Sequence, residues 1–311
     1  MTTTDFWPDR CLGTMFFGTR IDRDTSFALL DRWVESGGRL LDTANNYAVW
    51  EPDATGDESE TLLGEWFAAH GNRDEMLVAS KIGARPKPGT RGFGSAEGLG
   101  ARAVASQVAG SLERLGTTRL DAVYAHIDDR TTPLARTLSA FDALVQDGTI
   151  GTIACSNYEA PRLRAALGTS EREGLARYTA IQVRSTYLTP RDDADFGVQV
   201  PFGPELAAVT QATGTVVLGY SSLLEGAYSR DDRPVPATYR HERTDAQLAA
   251  LHAVASRLDV TANQVVYAWQ RSEGIVPVLG VSRLAQLDEA IGAHDVVLDD
   301  AARSELAAAR G

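Results

Sequence analysis

LDAVYAHIDDRTTPLARTLSAFDALVQDGTIGTIACSN, residues 120–157, is the segment that decides the fold class of this chain. It opens with a short apolar run at 120–126 and closes with another at 149–157, and both are rich in Val, Ile, Leu and Ala. An amphipathic run that ends in Gly lies between them, at 133–148. Short apolar runs of this kind are typical of strands buried on both faces, so the segment predicts a strand, a helix and a second strand.

The same alternation continues in both directions from this segment, with short apolar runs predicted as strands and amphipathic runs predicted as helices. The predicted strands are 10–14, 39–43, 76–81, 120–126, 149–157, 178–182, 215–220 and 275–280. The predicted helices are 24–38, 57–71, 101–116, 133–148, 159–168, 203–214, 245–259, 261–274, 282–293 and 299–310.

A single sheet of eight parallel strands with helices on one side closes into a barrel, so we expect an α/β protein with the (β/α)8 TIM-barrel fold. A doubly wound open sheet is the alternative, but it usually has GxGxxG after its first strand, and GTMFFG at 13–18 is not that motif. No internal boundary is visible, so residues 1–311 are expected to form one domain. Stretches rich in Gly and Pro at 83–100, 188–204 and 225–243 predict long loops, which would overhang the barrel mouth.

The composition limits the partners and the compartment of the protein. A net charge of −12 repels phosphate backbones and anionic lipid, so no nucleic-acid or membrane partner is expected. Two cysteines, Cys11 and Cys155, are too few for a disulfide framework, and no spacing of Cys and His suggests a metal. The N-terminal stretch at 1–13 lacks the features of a signal peptide, and no run approaches 18 apolar residues, so the cytoplasm is the expected location.

Four titratable residues are expected at the barrel mouth, where the carboxyl ends of parallel strands meet and where such barrels carry their chemistry. Asp42, Lys81 and His126 end three successive predicted strands, and Tyr47 lies in the loop after Asp42. Each residue by itself also has a purely structural interpretation. Asp42 could cap a helix or turn, and Lys81 could be an ordinary surface lysine. His126 could be a half-buried imidazole, and Tyr47 a packed ring. Their joint occurrence at one mouth favours a functional site.

The four groups together can protonate a carbonyl oxygen. A phenol has a pKa near 10 and donates its proton poorly, unless a neighbouring ammonium such as Lys81 stabilises its anion. Asp42 would hold Lys81 in place and keep it charged, and His126 could donate a hydrogen bond to the carbonyl oxygen. The protein has no hydride source of its own, so this chemistry would require a nicotinamide cofactor.

The segments LLDTANNY with Asp42 and Tyr47, ASK with Lys81, and AHID with His126 resemble those of the aldo-keto reductases. The resemblance covers nearly the whole chain. It implies that the protein is an oxidoreductase that interconverts an aldehyde or ketone with an alcohol. It also implies that Tyr47 is the general acid and that Asp42, Lys81 and His126 assist it.

Further motifs that match the family bear on the cofactor. By resemblance, the first-strand segment GTM lies under the nicotinamide, the segments CSNY and IQVR bind its carboxamide, and GYSSL supplies a stacking Tyr and contacts near the pyrophosphate. The residues implied are Gly13, Thr14, Met15, Asp42, Ser156, Asn157, Gln182, Tyr220, Ser221 and Leu223.

The adenosine end is implied by resemblance to lie at PVLGVSRLAQLDEA, where Gly280 and Gln286 replace the Lys and Arg that many members use for a 2′-phosphate. Ser282 and Arg283 remain at the start of the following helix, where an anion can bind. We therefore expect NADPH as the cofactor, with NADH possible, and Arg283 as the visible cation at this end.

The substrate is expected to be a small-molecule carbonyl compound. Candidates for the pocket wall are Phe16, Phe17 and Trp50, with Arg184 and Tyr187 as weaker ones, and for Trp50 ordinary packing remains an equal alternative. Since the chain stops soon after its last predicted helix, we expect a short tail and an open mouth. An open mouth suits bulky carbonyls such as sugar derivatives or natural-product ketones.

Two other functions are compatible with the sequence. A lyase could use Lys81 as a Schiff-base nucleophile, although that needs a depressed pKa and Asp42 would raise it. Alternatively, the barrel could bind a nicotinamide cofactor as a regulatory redox sensor with weak turnover. The four residues at the mouth favour the reductase over both.

Overall fold

The computed structural model describes residues 6–90 and 92–311. Residues 1–5, part of the stretch in which no signal peptide is expected, and Arg91 of the expected 83–100 loop lie outside them. Within the described residues, strands and helices alternate along the chain. The strands are β1 (Cys11–Gly13), β2 (Leu40–Asp42), β3 (Leu77–Ile82), β4 (Leu120–Ala125), β5 (Ile150–Ser156), β6 (Tyr178–Arg184), β7 (Val216–Tyr220) and β8 (Ile275–Gly280). The helices are α1 (Arg23–Glu35), α2 (Glu58–His70), α3 (Ala101–Leu115), α4 (Leu134–Gln146), α5 (Ala160–Glu173), α6 (Pro204–Thr213), α7 (Thr244–Leu258), α8 (Ala262–Ser272), α9 (Leu284–Gly292) and α10 (Asp300–Arg310).

The eight strands form one closed parallel barrel in the order of the chain, and β1 pairs with β8 to complete it. This confirms the expected (β/α)8 fold and excludes the doubly wound sheet. Gly13 lies opposite Asp42 on one side and Gly280 on the other, so three strand ends are level at the mouth. The site residues expected on different strands are therefore neighbours around one ring.

Hydrophobic residues fill the barrel and the space around it. Inside, small side chains such as Ala79 and Ala154 surround Tyr124, and Trp7 packs against Tyr124 with ring centroids 5.6 Å apart. A larger cluster lies between the barrel and the helices that surround it, and another lies among α7, α8 and α10. Because the strands are buried on both faces, their sequences are continuous apolar runs.

Most element ends lie within a few residues of their expected positions, and three of the differences have a clear structural cause. Helix α5 continues past Gly168 to Glu173 and ends at Gly174, whose φ of 65° provides the left-handed turn that stops a helix. Strand β6 extends to Arg184 because the amide of Arg184 donates to Val200 O of the following loop at 2.9 Å. Helix α9 begins two residues later than expected, since Arg283 is extended.

The three long loops follow the carboxyl ends of β3, β6 and β7, as expected, and occupy 83–100, 185–203 and 221–243. They lie at the same end of the barrel as Asp42, because all strands run in the same direction. Among the helices of the described residues, none is both long and apolar enough to cross a membrane.

Candidate active site

The loop after β2 carries Tyr47 back over the strand that ends in Asp42. Thr43 and Asn45 donate their amides to main-chain oxygens of β3, at 2.9 and 3.0 Å, so the chain first continues beside β3. It then turns through Ala48, which has a φ of 59°. The polar segment between Asp42 and Tyr47 is thus short enough to place both side chains in one cluster.

Asp42, Tyr47 and Lys81 form a closed triangle of hydrogen bonds. The Tyr47 hydroxyl donates to Asp42 Oδ2 at 2.8 Å, and the Lys81 ammonium donates to both Asp42 Oδ2 and the Tyr47 hydroxyl oxygen. A third donor of the ammonium reaches Thr43 O at 3.0 Å. All three N–H groups of Lys81 are thereby engaged, and its side chain is 1% exposed.

His126 lies beside this triangle. Its ring centroid is 6.0 Å from that of Tyr47, with the two rings nearly perpendicular at 78°. Its Nδ1 is buried and has no hydrogen-bond partner within the described part of the chain. Burial, and then the charge of Lys81, hold the pKa of His126 well below its usual range. The imidazole is therefore neutral at pH 7, the form that can donate one hydrogen bond without carrying charge.

Burial decides the charge states inside the triangle. It raises the pKa of Tyr47 well above its usual value, and the Asp42 carboxylate raises that pKa further. The expectation that Lys81 would lower the Tyr47 pKa is not the net result. Burial also lowers the pKa of Lys81, against the opposing effect of Asp42. The phenol therefore holds its proton at neutral pH, as a proton donor must.

Asp42 was expected to raise the pKa of Lys81 and so to disfavour a Schiff-base lyase, but burial outweighs it and lowers that pKa. The position of the amine nevertheless restricts its access to a substrate. A substrate carbonyl would have to replace a hydrogen bond of Lys81 to Asp42, Tyr47 or Thr43 inside a closed cluster. The geometry does not favour Lys81 as a nucleophile.

The second oxygen of Asp42 links the triangle to β5 and β6. Gln182 Nε2 donates to Asp42 Oδ1 at 2.7 Å, and Ser156 Oγ donates to Gln182 O at 2.8 Å. Asn157 follows with a φ of 60°, and its Oδ1 accepts from the Tyr220 hydroxyl at 2.7 Å. The structure thus joins the three residues expected at a nicotinamide carboxamide, together with the expected stacking residue Tyr220, into one hydrogen-bonded chain that reaches Asp42 through Gln182.

The end of β1 completes the floor of the mouth. Thr14 is fully buried, and its hydroxyl donates to Asp42 O at 3.0 Å. Met15 is 38% exposed at the next position, while Gly13 and Gly280 face each other across the β1–β8 seam. Gly280 is exposed, and a Cβ added there would meet nothing within 4 Å, so the end of β8 is open.

The residues expected at the remote end of a dinucleotide lie after β7 and β8. Ser221, with a φ of 58°, and Leu223 are half-buried in the loop after β7. Gln286 Oε1 accepts from the amide and the hydroxyl of Ser282 at 2.9 and 3.0 Å, so these two residues satisfy each other. Arg283 is exposed, and no acidic residue of the described ranges pairs with it.

The residues expected to line the substrate pocket differ in their exposure to solvent. Trp50 is 50% exposed, which argues against ordinary packing, and Phe16 is half-buried with the Arg20 guanidinium 4.3 Å above its ring. Phe17 is 1% exposed and packs into the main core, so it does not line the mouth as expected. Tyr187 is fully buried, and its hydroxyl donates to Leu306 O of α10 at 3.0 Å.

Two residues near the site were not singled out in the sequence. Tyr124 lies inside the barrel, with its ring centroid 5.5 Å from Lys81 Nζ, and alternation two residues before His126 could have identified it. Arg85, after β3, holds the loop that carries Tyr47 by donating to Asn45 O at 2.8 Å. No local pattern in the sequence predicts that contact.

Both cysteines are buried free thiols. In residues 6–90 and 92–311, no group of three or more His, Cys, Asp or Glu side chains is arranged to hold a metal ion.

Comparisons with known proteins identify relatives of this chain. A norsolorinic acid reductase of Emericella nidulans is 29% identical over 306 residues, which cover 93% of this chain and 75% of that protein. An aryl-alcohol dehydrogenase of Pestalotiopsis microspora is 27% identical over 289 residues, covering 87% and 70%. The fold is similar to that of a thermostable aldo-keto reductase solved with the inhibitor epalrestat, with a TM-score of 0.74, 21% identity and coverage of 97% and 95%.

The model of the aldo/keto reductase family matches residues 11–310, from the first strand of the barrel to the last helix. The matched range includes every strand end described above. This chain therefore belongs to the aldo/keto reductase family of oxidoreductases.

Proposed function

We propose that the protein reduces an aldehyde or ketone to an alcohol with NADPH, and that Tyr47 is the general acid. One observation carries the proposal: the protonated Tyr47 phenol shares hydrogen bonds with the buried Lys81 ammonium and the Asp42 carboxylate. The residues at the mouth would hold a nicotinamide, which when bound would supply the hydride for the carbonyl carbon. In this proposal the phenol proton passes to the carbonyl oxygen.

Each neighbour of Tyr47 has a separate task in this mechanism. When the phenol gives up its proton, the Lys81 ammonium stabilises the phenolate that forms. Asp42 orients Lys81 and prevents it from remaining an unpaired buried cation. Neutral His126 donates a hydrogen bond to the carbonyl oxygen and so positions it for protonation. Solvent then returns a proton to Tyr47, which is 9% exposed.

The residues at the mouth fit a nicotinamide dinucleotide. Amide and hydroxyl groups of Ser156, Asn157 and Gln182 have the donor and acceptor chemistry that a carboxamide requires. Tyr220 lies beside Asn157, to which its hydroxyl donates at 2.7 Å, and its ring is proposed to stack on the nicotinamide. Remaining contacts are proposed for Gly13, Thr14, Met15, Ser221, Leu223, Gly280, Ser282, Arg283 and Gln286.

The preference for NADPH rests on Arg283. It lies exposed at the start of α9, where a 2′-phosphate would find a guanidinium without an acidic partner in the described ranges. Gln286 cannot replace a cation, because its side-chain amide carries no charge, and its oxygen is engaged by the amide and the hydroxyl of Ser282.

The substrate is proposed to be a bulky carbonyl compound, with an aromatic one favoured. The half-exposed Trp50 and the half-buried Phe16 offer apolar surface beside the mouth. Two of the relatives described above are named for norsolorinic acid and for aryl alcohols. A substrate range confined to small aliphatic aldehydes would contradict this part of the proposal.

Tyr47→Phe tests the mechanism. NADPH consumption is measured with a panel of small aldehydes and bulky aromatic ketones, and cofactor binding is measured by quenching of tryptophan fluorescence. We expect turnover to fall by about 10²- to 10⁴-fold, as for the loss of a general acid, with the cofactor Kd nearly unchanged. Tyr187→Phe, which removes a hydroxyl from the core, is the control and should retain turnover.

Full turnover in Tyr47→Phe would eliminate Tyr47 as the proton donor. Cofactor binding without turnover of any carbonyl by the natural protein would instead favour a regulatory nicotinamide-binding barrel.

A further inference from the structure

Arg184 carries a positive charge at the barrel mouth, and the described residues that contact it are neutral. Its Nε donates to the Tyr239 hydroxyl at 2.8 Å, and its Nη1 donates to Gln199 Oε1 at 2.8 Å and to Ser221 Oγ at 3.3 Å. The rings of Phe196 and Tyr239 flank the guanidinium at 5.1 and 5.6 Å. Within residues 6–90 and 92–311, Arg184 has no acidic partner, and Nη2 has no acceptor.

Three other half-buried arginines of this chain are compensated differently. Arg114 is paired with the fully buried Glu60 at 2.8 Å. Arg10 and Arg271 donate to main-chain carbonyls at the ends of helical segments, at 2.6 and 2.7 Å, where the helix dipole is negative. Arg184 lacks both kinds of compensation, although the chain has 42 acidic residues. A half-buried charge without a counter-charge is costly, so Arg184 is best explained by an anionic ligand.

The position of Arg184 indicates which part of a ligand it faces. It pairs with Tyr220 across β6 and β7, and its hydrogen bond to Ser221 places the guanidinium over the end of β7. Gln199 and Tyr239 come from the loops after β6 and β7, so the guanidinium is fixed from both sides. The planar guanidinium is held in one orientation, and its Nη2 remains able to donate a hydrogen bond to a ligand oxygen.

We propose that Arg184 binds a phosphate oxygen of the diphosphate bridge of the dinucleotide. This inference rests on the proposed function. There, the carboxamide lies at the ends of β5 and β6 and the adenosine at the end of β8, so the diphosphate that joins them must cross the end of β7. A guanidinium at that point forms a charge-assisted hydrogen bond with a phosphate through its Nη2.

The carbonyl substrate is the other possible source of an oxyanion, because a substrate could carry a carboxylate. A neutral aldehyde or ketone does not need Arg184. The diphosphate is present in every catalytic cycle of a dinucleotide-dependent reductase, whereas a substrate carboxylate is not. The cofactor is therefore the favoured source, and the two sources predict different measurements.

Arg184→Gln tests the inference, because it retains a hydrogen-bonding side chain and removes the charge. The Kd values of NADPH and NADH are measured by quenching of tryptophan fluorescence. Both should rise by about 10- to 100-fold and by the same factor, since both cofactors carry the diphosphate. An unchanged ratio of the two Kd values distinguishes Arg184 from Arg283, which is proposed to contact only the 2′-phosphate.

Two further variants separate charge from fold. Arg191→Gln removes a positive charge from the same loop region, where Arg191 pairs with the exposed Asp193, and should leave both Kd values unchanged. Arg184→Lys keeps the charge and should recover most of the affinity lost in Arg184→Gln. Thermal unfolding of each variant without cofactor checks that the barrel is intact, and raised salt should weaken cofactor binding less in Arg184→Gln than in the natural protein.

Three outcomes would overturn the inference. Unchanged Kd values for both cofactors in a folded Arg184→Gln exclude a phosphate contact. Unchanged cofactor binding with a raised KM for 4-carboxybenzaldehyde, but not for benzaldehyde, assigns Arg184 to a substrate carboxylate. Equal losses in Arg184→Gln and Arg184→Lys make the residue a purely structural tie between the loops. Failure of the natural protein to bind NADPH at all would instead refute the proposed function.

Discussion

The pKa values of Lys81 and of its neighbour Tyr47 are the properties of the site that the sequence predicted least well. The ends of the predicted strands were sufficient to bring Asp42, Lys81 and His126 to one mouth. The protonation states were not predictable in the same way, because burial outweighs the charge pairing and is a property of the closed barrel. The pKa of Tyr47 is raised and that of Lys81 lowered for this reason. A sequence identifies the ionisable groups at a site, but their desolvation depends on everything packed around them.

Arg283→Glu tests the cofactor preference at a single residue. Reversing the charge at the start of α9 should raise the KM for NADPH by about tenfold or more, because a carboxylate repels the 2′-phosphate that the guanidinium attracts. The KM for NADH, which lacks that phosphate, should change much less. Steady-state kinetics with both cofactors and one carbonyl substrate provide the measurement. Equal changes in the two KM values would remove Arg283 from the proposed site.

His126 should make stability depend on pH. Its folded pKa lies well below the usual value, so at pH below about 6.5 the unfolded chain binds a proton that the folded chain does not. The free energy of unfolding should therefore fall as the pH is lowered from 7 to 5, with His126 contributing at most about 1.4 kcal/mol per pH unit. Urea unfolding at several pH values should show a smaller fall in His126→Gln.

The exposed His252 on α7 provides a matched control, since His252→Gln also removes one imidazole. In His252→Gln, the free energy of unfolding should depend on pH as it does in the natural protein. If His126→Gln lost stability as steeply as the natural protein over this range, burial of a neutral His126 would not be the cause.

At the scale of elements, the apolar runs located all eight strands, because each strand is buried on both faces and its pattern is strong. Errors arose where a distant contact or a single turn decided the outcome. Strand β6 gained two residues through hydrogen bonds with the 188–204 loop, and α5 continued through Gly168 because the left-handed turn comes only at Gly174. Phe17 was expected at the mouth, but the tight turn after β1 directs it into the core.

The loop between β2 and α2 depends on Arg85, which joins its two ends. Arg85 donates to Asn45 O at 2.8 Å and to Thr55 O at 2.9 Å, and pairs with Asp57 at 2.6 Å. Arg85→Met should lower turnover by about tenfold or more, because the loop that carries Tyr47 is no longer held, and misplacement of a reacting group by about 1 Å costs up to about 100-fold. The free energy of unfolding should fall by about 1–3 kcal/mol.

The measurements are kcat with a fixed carbonyl substrate and urea unfolding of the same samples. Arg23→Met is the control, since Arg23 makes no hydrogen bond to the segment that carries Tyr47 in the described residues and pairs with Glu65 at 2.9 Å between exposed positions of α1 and α2. It should change stability by less than about 0.5 kcal/mol and leave kcat unchanged. A normal kcat in a destabilised Arg85→Met would show that the loop keeps Tyr47 in place without Arg85.

At the scale of the whole molecule, closure of the barrel makes the site possible. Gly13 in the first strand and Gly280 in the last are 267 residues apart in the sequence, yet they are paired neighbours in the barrel. Asp42 is linked to Gln182 by a hydrogen bond between residues 140 positions apart. The site therefore exists only when both halves of the chain are folded together, and its residues were predictable from the sequence only because the barrel was.

The same closure predicts that cofactor binding stabilises the entire barrel. A dinucleotide that contacts the ends of β1, β5, β6, β7 and β8 binds the folded chain and not the unfolded one, so it must raise the free energy of unfolding. At a free NADPH concentration of 100 times its Kd, the rise should be about 2.7 kcal/mol, seen as an increase of several degrees in Tm. NADH at 100 times its own Kd should give the same rise, because the effect depends on saturation and not on the 2′-phosphate. Tyr47→Phe should respond like the natural protein, since its cofactor contacts remain.

Thermal unfolding monitored by circular dichroism measures the shift in Tm, while fluorescence quenching measures the saturation with cofactor in parallel. If saturation were reached without a rise in Tm, the cofactor would be bound equally well by a partly unfolded chain, and a site that requires all strand ends at once would be wrong.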